Sequence, residues 1–353
     1  MAVRVGGQQL MQALVFREQG GPVVEQVPEP VPERDQVLVE VGFCGICGTD
    51  LHASAGDFAD GVVMGHEFSG TIRELGAQVT GWRTGDRVAV NPNGLVCGQC
   101  AFCRAGQLNL CLRREANNLG QNHDGGLAQF VALAPQRLHR LPEQVSLAQG
   151  AWTEPLAVAV RTVARGEVQS ADRAMVFGAG PIGLLVLSVL RARGVDWVTV
   201  VERSPARAEV AKHLGASQVL DPAQGDLAER FADPALAPTV AFECTGVAAV
   251  IDTALALLRP AGRLVVTGYS RTAPTYASEH LLFKELQIRA SFIYRDVEFP
   301  AALDLLAAGA VDVEHLTSGI VPVAAAPEAF AAMKNADTAI KYLVGSQSAS
   351  MSS

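Results

Sequence analysis

The sequence predicts an α/β fold in two parts, a mostly-β half followed by a doubly wound parallel sheet. Three observations carry that expectation. Up to about residue 150 the chain reads as short alternating or apolar runs, such as Val37 to Val41 and Arg87 to Val90, separated by Gly, Pro and Asp turns. From Arg173 the texture changes to strand, tight turn and helix in succession, as in a parallel sheet covered by helices. At the first such junction stand Gly178, Gly180 and Gly183, a G-x-G-x-x-G that follows a strand and opens a helix.

The elements follow in order. Met11 opens a strand-like MQALVF, which leaves residues 1–10 as a flexible extension, and the polar end GSQSASMSS makes 346–353 a second flexible tail. TEPLAVAV, from Thr153, begins a helix. Six parallel strands are then expected: RAMVF, VTVVE, a run at Val219, Thr239 to Phe242, Arg263 to Thr267, and Gln287 to Phe292. Helices lie between them, from Ala206 to Leu214 and near Val250 to Leu258. Apolar helices near Pro300 to Ala308 and Pro327 to Lys334, with a last strand at Ala339 to Val344, can return to the first half.

At 353 residues, against about 150 per domain, two domains are expected. A net charge of −8 opposes binding to phosphate backbones, so nucleic acid is not expected as a partner. The longest apolar run, Pro181 to Leu190, stops at Arg191 and falls short of a membrane span, and MAVRVGGQQL lacks a signal peptide's apolar core. Seven cysteines, an odd number clustered at short spacings, favour metal ligation in a reducing cytoplasm over disulfides.

Cys97, Cys100, Cys103 and Cys111 sit in CGQCAFCRAGQLNLC, where short gaps let one loop wrap a tetrahedral ion with four thiolates. A closed sphere has no place for substrate, so this zinc is expected to hold local structure; by ligand count alone an iron–sulfur cluster is the alternative. A second set is open. GFCGICGTDLH and MGHEFSG offer Cys47, His66 and Glu67, three ligands that leave a position for water or substrate. Glu154 is a candidate fourth ligand, although a first-turn glutamate is also favoured by the helix dipole. Cys44 is read as a small buried residue. Thiolate, imidazole and carboxylate together suit zinc.

In the glycine turn the first Gly permits the bend, the second lets backbone approach a pyrophosphate, and the third lets helix pack on strand. Nineteen residues beyond Gly183, Glu202 ends VTVVE, where a carboxylate can accept from the adenosine ribose hydroxyls and repel the extra phosphate of NADP. NAD is therefore expected, with Arg203 and Arg207 keeping NADP as the alternative. No Gly-Lys-Ser/Thr follows, so this is not a P-loop.

From about Met11 to Val344 these motifs resemble the zinc-containing medium-chain dehydrogenase/reductase (alcohol dehydrogenase) family, with polyol, butanediol and threonine dehydrogenases nearest. The resemblance implies a GroES-like catalytic domain over 11–160, a Rossmann domain over 161–294 and a return to the catalytic domain over 295–345. It implies two zinc ions. Cys47, His66 and Glu67 would hold the catalytic one with Glu154 at the exchangeable position, and Cys97, Cys100, Cys103 and Cys111 the structural one. Thr49 matches the hydroxyl that relays the substrate proton and His52 the imidazole that passes it to solvent. NAD contacts are implied for Ile182, Glu202, Arg207, Thr267, Gly268 and Tyr269, and the assembly is implied to be a homotetramer or homodimer.

The implied reaction is reversible oxidation of a secondary alcohol, whether diol, polyol or cyclic alcohol, to a ketone. One departure bears on substrate. Where polyol dehydrogenases carry an Arg-Tyr pair, this chain reads Ile293-Tyr294, which puts a sugar alcohol in doubt; Arg295 could reach the pocket instead or simply lie on the surface. The rival readings are a zinc-free quinone or enoyl reductase on the same scaffold, which the intact ligand set opposes, and a catalytically retired zinc protein with a structural role.

Overall fold

Val37–Gly45 is the strand around which the β-rich part is organised. It pairs antiparallel with Glu67–Leu75 and with Lys341–Gly345, and Phe130–Leu133 also joins it. Beyond these the sheet extends to Arg87–Val90 and Leu138–Arg140 on one side and to Thr317–Pro322 on the other. Val37, Val39 and Val41 pack with Phe68, Ile72, Val88 and Val90 in one core. The structure is a computed structural model and describes residues 4–5, 8–53, 56–93, 95–114, 118–334 and 339–345.

A separate three-stranded sheet joins Arg4–Val5, Gln8–Arg17 and Gly21–Pro28. Its middle strand alternates as a strand between two cores should. Leu14 and Phe16 enter the large core, whereas Met11, Ala13 and Val15 form a smaller one with Val63 and Ala128. Gln8–Leu10, expected in a flexible extension, belong to this strand, because the hairpin ladder continues past Met11: Leu10 lies opposite Pro28, and the Glu29 N–H donates to the Gln9 carbonyl at 2.9 Å. The expected tail over 346–353 lies outside the described residues.

In the nucleotide part, six strands lie parallel in the order Gln218–Leu220, Trp197–Val201, Arg173–Phe177, Val240–Glu243, Arg263–Val266, Gln287–Ala290. Numbered along the chain, that order runs outward both ways from the first strand, so its direction reverses between Arg173–Phe177 and Val240–Glu243. Ligands bind at the carboxyl ends of strands beside such a reversal. Ala174 to Phe177 are all buried, which explains a continuous apolar run instead of alternation.

The chain divides into two compact units. One comprises Met1–Glu154, Ala302–Ala307 and Thr317–Ser353, the other Pro155–Ala301 and Ala308–Leu316. The first division falls inside the helix Thr153–Arg165. The return to the β-rich unit is carried by Lys341–Gly345, whose pairing with Val37–Gly45 could not be read locally. Among the described residues no helix is long and apolar enough to cross a membrane.

Candidate functional site

Strand register builds the first site. Glu67 begins its strand directly opposite Gly45, and Leu343 lies opposite Gly45 on the other side, so the ends of three strands converge just before Cys47. Cys47 then caps a one-turn helix, Gly48–Leu51. Ligand atoms of Cys47, His66 and Glu67 all lie within 4.8 Å of one another. A thiolate, an imidazole and a carboxylate so gathered fit a divalent zinc ion with a position left over.

Two residues that sequence reasoning missed hold this cluster. Asp50, 1% exposed, accepts from the Cys47 backbone N–H through Oδ2 at 3.0 Å and presents Oδ1 to His66 Nδ1 at 3.5 Å. The carboxylate so stands behind the imidazole, in the place that carboxylates take behind metal-binding histidines. Burial depresses the His66 pKa, but the Asp50 carboxylate and the Cys47 sulfur outweigh it and raise the value well above the ordinary range. A bound cation would displace that proton. Its signal was a charge three residues after Cys47, at the position where an acid closes a helix cap.

Lys341 is the second. Its buried ammonium pairs with Glu67 Oε2 and donates to the Ile46 carbonyl at 3.0 Å, with the Trp152 ring centroid 5.5 Å away. Burial lowers its pKa, yet Glu67 and Cys47 beside it reverse the effect and raise it. The pairing occupies one carboxylate oxygen of Glu67 and leaves the other for an ion. No local signal marked Lys341, which stands 274 residues from Glu67.

The remaining expected residues fall as follows. Thr49 Oγ1 lies 3.6 Å from Cys47 Sγ, and His52 is exposed at the end of the one-turn helix. Glu154 is buried in the first turn of Thr153–Arg165, but its carboxylate is not among the atoms gathered within 4.8 Å. Cys44 is fully buried and outside that group as well. Burial, with Asp50 and Glu67, pushes its thiol pKa well up, as suits an inert core cysteine.

The second metal candidate gathers Cys97, Cys100, Cys103 and Cys111 within 4.8 Å. The helix Ala101–Arg104 is capped by Cys100, whose sulfur accepts the Cys103 N–H at 3.5 Å, and Cys111 Sγ accepts the Cys97 N–H at 3.3 Å. Backbone hydrogen bonds from Leu112 and Cys103 bring the Cys100 thiol down to about 6, so a thiolate is available at neutral pH. No disulfide links these residues.

The nucleotide turn is shaped as its spacing requires. Gly178 has φ +90°, and a Cβ there would stand 2.8 Å from Thr245 Cγ2; a Cβ on Gly183 would overlap the Gly178 carbonyl. Gly180 caps the helix Pro181–Ala192, with Ile182 in its first turn. Glu202, just past Trp197–Val201, accepts from the Ala179 N–H at 2.6 Å, from Arg203 N–H at 2.7 Å and from Ser204 N–H at 2.8 Å. Arg207 reaches the turn as well: its Nη1 lies 4.0 Å from where a Gly180 Cβ would be. Past Arg263–Val266, Thr267 and Gly268 both donate to the Glu243 carbonyl at 3.0 Å, and Tyr269 is 84% exposed.

Glu243, missed from sequence, braces these loops. It is 1% exposed, and its Oε1 accepts the N–H groups of Thr245 at 2.6 Å and Gly246 at 3.0 Å. The carboxyl-end rule for parallel strands pointed to it. Arg295 is held by Glu298, at 2.7 Å between Nη2 and Oε1, which accounts for the cation without a pocket role.

Comparison with known proteins agrees with these features. Residues 33–143 match the alcohol dehydrogenase GroES-like domain and residues 181–308 the zinc-binding dehydrogenase domain. "Probable D-xylulose reductase A" of Aspergillus terreus is 37% identical over 94% of this chain and 98% of its own. The 2R,3R-butanediol dehydrogenase of Bacillus subtilis superposes with TM-score 0.86 at 33% identity, over 95% of this chain and 99% of that one. A "putative zinc-binding dehydrogenase" of Sinorhizobium meliloti 1021 bound to NADP gives TM-score 0.89 at 32% identity, over 96% and 100%. The chain belongs to the zinc-binding alcohol dehydrogenase family, as an oxidoreductase that acts on CH–OH groups with zinc and a nicotinamide cofactor.

Proposed function

We propose that this enzyme oxidises a secondary alcohol of a short diol or polyol to the ketone with NAD, using one catalytic and one structural zinc per chain. The gathering of Cys47, His66 and Glu67, with Asp50 behind His66, carries the reading. When bound, zinc supplies the Lewis acidity that makes an alcohol proton easy to remove near neutral pH, and the nicotinamide takes the hydride. Glu154 is the candidate for the fourth, exchangeable position, as the resemblance implies. Thr49 relays the hydroxyl proton, giving up its own as it takes one, and the exposed His52 hands it to solvent. Cys97, Cys100, Cys103 and Cys111 hold the second zinc and touch no substrate.

NAD is favoured over NADP because Glu202 fills the end of the second strand with a carboxylate tied to three backbone N–H groups. A 2′-phosphate would meet that charge directly. Ile182, Arg207, Thr267, Gly268 and Tyr269 complete the cofactor contacts. Between diols and longer sugar alcohols, short diols are favoured. Ile293 offers no charge where polyol dehydrogenases carry arginine, and Arg295 is committed to Glu298.

A homodimer or a tetramer of such dimers fits the edge of the parallel sheet. Gln287–Ala290 is an open edge with Ile288 exposed, and Leu282 and Phe283 stand exposed just before it. An open strand edge is a template for a second copy of the same strand. The test of the catalytic reading is NADH formation across an alcohol panel. A 2,3-diol should be oxidised with higher kcat/KM than xylitol, and full activity in metal-stripped protein would sink the mechanism.

A further inference from the structure

Outside the sites described, one cluster in the nucleotide unit has the composition of a metal centre. His213 is the last residue of the helix Pro205–His213, and Asp312 and His315 lie in the segment Ala308–Leu316 of the same unit. Both imidazoles address one carboxylate oxygen: Asp312 Oδ2 is 2.7 Å from His315 Nδ1 and 3.3 Å from His213 Nε2. The rings stack with centroids 3.8 Å apart at 24°. All three ligand atoms lie within 4.8 Å of one another.

We propose that His213, Asp312 and His315 form a further binding site for a divalent transition metal, zinc foremost, separate from the catalytic and structural positions. Two imidazoles and a carboxylate suit zinc, copper and nickel better than calcium or magnesium. Asp312 is already oriented, since its Oδ1 accepts the His315 backbone N–H at 3.2 Å and leaves Oδ2 to the imidazoles. Side-chain exposures of 50%, 42% and 54% leave room for water to complete the coordination.

The surrounding charge permits a cation. His213 ends its helix, where the dipole is negative. Arg191 lines the same shallow depression, but its Nη1 donates to the Val195 and Asp196 carbonyls at 2.8 and 2.9 Å. Lys212 is paired with Glu209. Binding would replace the two His–Asp hydrogen bonds by metal bonds and pin the end of Pro205–His213 to Ala308–Leu316. The opposite end of that helix carries Arg207 beside the glycine turn.

The test counts zinc in the purified enzyme after equilibrium dialysis at about 10 µM free Zn2+, a level that a three-ligand protein site should fill. Wild type is expected to hold one equivalent more than His213→Ala or His315→Ala, with NAD-linked turnover equal in all three. Added zinc should raise the melting temperature of wild type relative to both variants, since a ligand of the folded state stabilises it. Cu2+ loaded at this site should give an electron paramagnetic resonance spectrum with imidazole nitrogen couplings that the variants lose. Equal zinc counts in wild type and variants, or an extra equivalent that survives both substitutions, would overturn the proposal.

Discussion

Asp50 holds Cys47 and His66 with a single carboxylate, Oδ2 accepting the Cys47 backbone N–H at 3.0 Å and Oδ1 facing His66 Nδ1 at 3.5 Å. Asp50→Asn keeps the shape and removes the charge that fixes the imidazole. The expected result is a loss of catalytic zinc affinity of about 10- to 100-fold, with turnover falling in step at limiting metal. Chelator competition measures it, and unchanged zinc retention would show that Asp50 only caps the helix.

Lys341→Met would remove the ammonium that pairs with the buried Glu67 carboxylate, an effect read most directly in the metal-stripped protein. Both side chains are 2% exposed, so screening by water is slight. Breaking such a pair from one side costs about 3–5 kcal/mol. Denaturant unfolding should show a lower midpoint, with Lys341→Arg partly restoring it. A midpoint within error of wild type would mean that Glu67 is compensated by another group.

Cys111→Ser removes one of four sulfurs from the loop beginning at Cys97 and should lose one zinc equivalent and thermal stability while Cys47, His66 and Glu67 remain gathered. Structural zinc sites contribute directly to folding. Normal zinc stoichiometry together with a normal melting temperature would refute the structural assignment.

Glu202→Ala should shift preference from NAD toward NADP, with kcat/KM for NAD falling by about tenfold or more. The substitution also withdraws the acceptor shared by Ala179, Arg203 and Ser204. The ratio of the two cofactors' kcat/KM is the readout, and an unchanged ratio would remove Glu202 from cofactor selection.

Asp172 links acid stability to structure. Burial raises its pKa, but the Gln169 N–H, the Thr239 hydroxyl and Arg263, 2.7 Å away, outweigh it and hold the carboxyl below its ordinary value. A depressed folded-state pKa contributes stability that is complete above the unfolded value of about 4 and is lost as pH falls through the folded value. Asp172→Asn should therefore destabilise at pH 7 and cost progressively less below about pH 4. A destabilisation independent of pH would point to packing alone.

Much of this protein was determined by local sequence. The glycine turn, the four clustered cysteines and the period of the strands are short-range constraints: a φ of +90° at Gly178 or a loop folded around one ion needs no distant partner. Cys47, His66 and Glu67 were legible as residue types, but their convergence depended on the register that sets Glu67 opposite Gly45. Lys341 could be found only once Lys341–Gly345 had paired with Val37–Gly45, because a buried ion pair is created by the sheet and leaves no mark on its neighbours in sequence. Arg295, which sequence left between pocket and surface, is claimed by Glu298 three residues on, a contact within reach of local sequence. His213, Asp312 and His315 complete the contrast: each is an ordinary exposed polar residue along the chain, and only folding brings two distant segments close enough for their ligand atoms to face one ion.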